Sequence, residues 1–204
     1  ESPERRHITT SAQQFVPGDR SRVLLPLAFC RECGQEYYTV MRTEDKQSGR
    51  ITYLPRPLNE RADGEGLQAG FLYAAPDSPW PEDEAELCAR LPEDWVELRS
   101  GGGLRVKSDH RKRLPRPVIL NGLGEEAAEG TAFHFVPAPF TFCLNPECAV
   151  VYSSRERNDF GKLASLSSEG RSTATTVLSL AAIRALRADG SLAAEARKLL
   201  SFTD

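Results

Sequence analysis

The strongest constraint on this chain is a local pattern that it writes twice. The first copy reads Phe29-Cys30-Arg31-Glu32-Cys33-Gly34-Gln35-Glu36-Tyr37, and the second reads Phe142-Cys143-Leu144-Asn145-Pro146-Glu147-Cys148-Ala149-Val150-Val151-Tyr152. Each runs Phe, Cys, a short loop, Cys, a small residue, two further positions and Tyr. A tight turn between two cysteines lets both sulfurs approach one ion while nearby backbone N–H groups point at them, and two such knuckles complete a tetrahedron. Gly34 and Ala149 suit the turn that leaves the metal, and Phe29 and Phe142 fit strand ends that lead into it. The repeat predicts a structural zinc held by Cys30, Cys33, Cys143 and Cys148 in a pseudo-symmetric zinc-ribbon-like sheet. The pairs lie far apart in the chain, so the tertiary fold has to bring them together.

Other readings of the cysteines each meet a contrary feature. A thioredoxin-like C-x-x-C belongs at a helix N-terminus in an α/β pattern, whereas strand-forming residues surround this one. A disulfide framework needs an oxidising compartment, yet no apolar signal segment opens the chain, and five cysteines leave one unpaired. Cys88 reads as a buried helix residue. Four thiolates close the metal's shell, while a catalytic zinc keeps a position open for water, so the site reads as scaffolding. His7, His110 and His134 lack metal-ligand spacing and read as surface or strand residues.

A 204-residue chain with 40% hydrophobic residues can bury a core, while 14 prolines and 15 glycines imply many turns. The net charge of −3 excludes a uniformly cationic nucleic-acid binder but leaves room for a local basic face. No apolar run is long enough to span a bilayer and no targeting pattern is present, which predicts a cytoplasmic protein without a membrane partner. The opening at Glu1 and the apolar close at Ser201-Phe202 predict an excised fragment.

Along the chain, strands are expected at 23–29, 35–42, 51–54, 70–74 and 132–136, with a short helix at 82–90. A buried helix from about Ser172, ended by Gly190, follows, and then a short helix at 192–199 before a strand-like run. The expected class is α+β: an antiparallel zinc-ribbon-like domain over 1–157 with an inserted subdomain at about 59–131, then a helical segment over 158–204.

Four stretches carry a family resemblance: Gln14-Phe15-Val16-Pro17-Gly18-Asp19, the knuckle at Phe29–Gly34, Ser168-Glu169-Gly170-Arg171-Ser172-Thr173-Ala174-Thr175-Thr176, and Lys198–Asp204. Together they resemble the segment between the two RecA-like motor domains of large bacterial DEAD/DEAH-box superfamily 2 helicases. The middle third carries no matching motif. The resemblance implies a parent ATP-dependent helicase that uses ATP and magnesium, with the flanking motor domains as partners of this segment and the 158–204 helices leading into the second motor.

The motor chemistry itself is missing here. Gly161-Lys162 is followed by leucine, where a phosphate loop needs Lys-Ser/Thr. Asp83-Glu84-Ala85-Glu86 follows Pro81 in a polar helix, where an acidic helicase box would end a buried strand. Asn158-Asp159-Phe160-Gly161 has no kinase partners. The fragment is therefore expected to be no enzyme on its own.

Two places suit DNA or RNA. Arg105, Lys107, His110, Arg111, Lys112, Arg113 and Arg116 form a dense basic run beside Gly101-Gly102-Gly103, against the bland alternative of a solvated loop balanced by Glu82, Asp83, Glu84, Glu86, Glu93 and Asp94. Arg171, Ser172 and Thr173 would open a helix and aim N–H groups and hydroxyls at an anion, although helix capping explains the hydroxyls equally. The expected function is a zinc-stabilised accessory domain that positions a nucleic-acid strand, with a protein-interaction module as the alternative.

Overall fold

The computed structural model describes residues 6–166 apart from 12, 61, 63, 75–77, 149 and 154–157, together with 182, 184–188 and 190. The chain divides into two compact units, Glu1–Leu166 and Ser167–Asp204. In the second unit, 182 and 184–188 are helical and Gly190 lies in a turn. The start of the helix expected at Ser172, the helix expected at 192–199 and the closing strand fall outside the described residues.

The first unit is sheet-rich α+β. Among the described residues its strands are β1 (Phe15–Val16), β2 (Asp19–Val23), β3 (Leu27–Cys30), β4 (Glu36–Glu44), β5 (Ile51–Pro55), β6 (Leu67–Tyr73), β7 (Val96–Leu98), β8 (Leu104–Val106), β9 (Arg116–Leu120), β10 (Thr131–Pro137) and β11 (Leu163–Ser165), with one α-helix, α1 (Glu84–Arg90), and short 3-10 turns. The strand expected at 23–29 is interrupted at Pro26, which has no N–H for a ladder, and becomes β2 and β3.

The main sheet is antiparallel in the order β11-β3-β4-β6-β10-β9. Nine-residue β4 shares one edge between two partners: β3 lies against Glu36–Tyr38 and β5 against Val40–Glu44. The sheet also closes on itself. Residues 125–127 bond back to β9 through the Leu120–Glu126 bridge and Ala127 N–H to Ile119, and to β5 through the Thr52–Glu125 bridge and Glu126 N–H to Ile51. Backbone pairing thus runs in a ring from β4 through β6, β10, β9 and 125–127 to β5, with few unpaired edges left.

Strand alternation sorts the core into two layers. On the side the ring encloses, Val40, Tyr53, Leu72, Leu120 and Phe135 are buried together. The Phe135 ring occupies the space above Gly70, where a Cβ would come within 2.4 Å of it. On the other side, Ala28, Cys30, Tyr37, Phe71, Tyr73 and Val136 meet Trp80, Cys88, Trp95, Phe140, Phe142, Cys143 and Leu144.

This arrangement alters the expected organisation. The stretch at 59–131 does not stand apart as an inserted subdomain, because β6 is a central strand and β9 closes the ring. Phe71, Leu72 and Tyr73 explain why: they are apolar on both faces, as a strand covered on both sides must be. Among the described residues of 59–131, α1 and the β7–β8 hairpin lie off the main sheet. The boundary between the compact units lies at 166/167, where 157/158 was expected, because β11 belongs to the sheet.

Candidate metal centre

The two cysteine copies are structural copies as well. In the first, Cys30 N–H donates to Gln35 O at 2.9 Å and Gly34 N–H donates to Cys30 O at 2.8 Å, with Gly34 at φ 79°. In the second, Cys143 N–H donates to Val150 O at 3.0 Å and Phe142 bridges Val151. In both, the first cysteine bonds the carbonyl two residues beyond the second. The sequence expects this symmetry from the matched Phe, Cys and Tyr positions.

The long separation between the pairs is closed by packing. Cys30 ends β3 on the face that also carries Ala28, and Phe142 and Cys143 settle against that face through the Trp80, Trp95 and Phe140 cluster. The four sulfurs lie within 4.8 Å of one another. The Cys33–Cys143 distance is 3.7 Å and the Cys30–Cys148 distance is 4.0 Å. A tetrahedron with Zn–S bonds of about 2.3 Å has sulfur–sulfur edges of about 3.8 Å, whereas a disulfide needs about 2.05 Å. The four cysteines therefore form a site that fits a metal ion.

Electrostatics define what a bound cation would have to offset. Burial pushes the Cys143 and Cys148 thiols up, and at Cys143 the Tyr37 hydroxyl and Asn145 N–H work against it. At Cys33 burial is the largest single influence and raises the thiol, but the Gln35 N–H and the neighbouring sulfurs together outweigh it, so this thiol lies below its ordinary value. Four thiolates this close repel one another, and a divalent cation relieves the repulsion while deprotonating the set. Cys30 and Cys143 are buried, Cys148 is half-buried and Cys33 is exposed, so one corner of the site faces solvent.

Further groups complete the surroundings. Tyr37 Oη lies 3.3 Å from Cys143 Sγ and accepts from Leu144 N–H at 2.8 Å, while Asn145 Nδ2 lies 3.7 Å from Cys33 Sγ. Burial, and then the negative fields of Cys30 and Glu32, push Tyr152 up to about 12. Behind the knuckles, fully buried Lys162 donates through Nζ to Phe140 O at 2.7 Å and pairs with Asp159 at 3.4 Å, and Asp159 accepts from Phe140 N–H. Lys162 O also receives the Arg31 N–H, tying both knuckles to the approach to β11. Sequence reading missed this pair; its available signal was Asp159 three residues before Lys162 beside an apolar strand.

The basic run is neutralised in part. Arg105 pairs with Glu97 at 2.8 Å, Arg111 with Glu84 at 3.0 Å, and Lys107 donates to Asp94 O at 2.7 Å. His110 stacks on Trp95 with centroids 4.5 Å apart. Lys112 and Arg113 have no hydrogen-bond or ion-pair partner among the described residues. Arg171, Ser172 and Thr173 lie outside the described residues. Asp83 is the N-cap of α1, accepting from Ala85 and Glu86 N–H, so its acidic motif has a capping role. Cys88 is buried in α1, as its sequence context predicts. Among the described residues no helix is long and apolar enough to cross a membrane.

Comparison of the chain with protein families, with curated proteins and with solved structures found no match.

Proposed function

We propose that this chain is a zinc-stabilised structural module and that it serves as an accessory domain of an ATP-dependent nucleic-acid helicase. The observation that carries the metal part is the four-sulfur cluster, whose spacing suits a tetrahedral ion and whose shell is closed by thiolates. Zinc would be held by Cys30, Cys33, Cys143 and Cys148, and when bound it supplies a fixed charge and a crosslink between the two knuckles. Those knuckles hang from β3–β4 and from the stretch after β10, so the crosslink staples the sheet to its outer layer. The helicase part rests on the resemblance of the knuckle and the terminal stretches, with ATP and magnesium belonging to the parent protein.

Strand guiding through this unit falls to Lys112 and Arg113, the members of the run without hydrogen-bond or ion-pair partners among the described residues. With two phosphate contacts, the slope of log affinity against log salt should be about −2. Fluorescence anisotropy with single- and double-stranded DNA and RNA, repeated on Lys112→Ala/Arg113→Ala, tests this. A weak, salt-dependent association lost in the double variant supports it, and no association at low salt defeats it. A second reading, a protein-interaction module, is favoured by the β7–β8 hairpin, where cross-strand partners Leu98 and Leu104 are 78% and 45% exposed.

A further inference from the structure

We propose that Tyr37 is a positioning residue of the metal centre, its hydroxyl donating to Cys143 Sγ and fixing how much charge that thiolate places on the ion. The inference rests on the metal reading above and deepens it. The direction of the hydrogen bond follows from the neighbours. Leu144 N–H donates to Tyr37 Oη at 2.8 Å, and a metal-bound Cys143 thiolate has no proton to give, so the phenolic proton goes to the sulfur 3.3 Å away. Tyr37 is fully buried, and its ring is held edge-on to Phe140 at 5.0 Å and tilted against Tyr73 at 5.8 Å. Packing therefore fixes the direction in which the proton points.

The pseudo-symmetry supplies an internal comparison. Tyr152 occupies the matching position after the second knuckle, but its hydroxyl donates to Lys162 O at 3.4 Å. The Tyr152 proton is there directed at a carbonyl, while the Tyr37 hydroxyl is directed at a sulfur. The two near-identical copies thus load their first cysteines unequally. Groups that hydrogen-bond a metal ligand commonly govern affinity about 10–100-fold.

The test uses the full chain loaded with Co(II) and compares wild type with Tyr37→Phe and Tyr152→Phe, each of which keeps the ring and removes only the hydroxyl. The expected result is that all three bind Co(II) tetrahedrally. Tyr37→Phe should show its sulfur-to-cobalt charge-transfer band at longer wavelength and lose metal to a chelator about tenfold more readily, with Tyr152→Phe closer to wild type. An unshifted band and unchanged release in Tyr37→Phe would overturn the inference while leaving the metal site standing. Failure of wild type to bind Co(II) would overturn both. Should Tyr37→Phe not fold, the wild-type chain loaded with Cd-113 decides. A slowly exchanging Tyr37 hydroxyl proton coupled to cadmium through Cys143 supports the assignment, and its absence refutes it.

Discussion

A methyl group added at Gly34 and one added at Gly70 meet different obstacles. At Gly34 nothing lies within 4 Å of the new Cβ, and the cost comes from φ at +79°, about 1–2 kcal/mol for an L-residue. At Gly70 the Cβ collides with the Phe135 ring at 2.4 Å and with Val136 O at 2.6 Å, both in the packed ring. Gly70→Ala should therefore lower the urea midpoint by more than Gly34→Ala, and only Gly34→Ala should also loosen the metal. His134 offers a pH test. Burial first, and Arg90 as well, hold its imidazole below the ordinary histidine value, with Glu82 opposing. A base harder to protonate folded than unfolded adds stability above about pH 6.5 and loses it as pH falls below that value. Wild type should thus lose stability from about pH 7 to 5 more steeply than His134→Gln, and parallel curves over that range would contradict this. The four cysteines were legible because a metal demands a residue type at fixed spacing. The Tyr37 contact was not, since its sulfur lies 106 positions away and only packing joins them.

Elements whose signals are local were the readable ones. Strand β4 follows from a run of aromatic and β-branched residues, Tyr37, Tyr38, Thr39 and Val40, and α1 starts one turn after Pro81 because Asp83 caps two N–H groups. Asp83→Ala should cost about 1 kcal/mol in thermal or urea unfolding. Arg111→Ala should cost less, because its pair with Glu84 is partly exposed and Arg99 still holds that carboxylate at 3.2 Å. A larger loss from Arg111→Ala than from Asp83→Ala would show that the excursion is held by its charges. The split of the 23–29 run at Pro26 was also available from sequence, since proline interrupts a ladder. The central place of β6 was not, because a strand's neighbours depend on pairings far along the chain.

At the level of the whole molecule, two devices hold distant segments together: the backbone ring closed by 125–127, and the sulfur cluster. The convergence of the four sulfurs was legible from the repeated pattern; the ring, and the packing that brings the knuckles together, were not. The ring depends on isolated bridges that leave no periodicity in sequence, and the knuckles meet only through the outer-layer aromatics. Structural zinc binding is worth about 10–16 kcal/mol, comparable to the about 5–15 kcal/mol that separates a folded domain from its unfolded state. Chelation should therefore loosen the outer layer and expose Trp80 and Trp95, read as a red shift in tryptophan emission; unchanged emission would mean that packing holds the layer without the ion. The most direct test of the central claim is elemental analysis of the chain purified without added metal. The account predicts about one zinc per chain, lost in Cys30→Ser and in Cys143→Ser. A metal-free chain that unfolds cooperatively and whose Cys30, Cys33, Cys143 and Cys148 all react freely with a thiol reagent would contradict it.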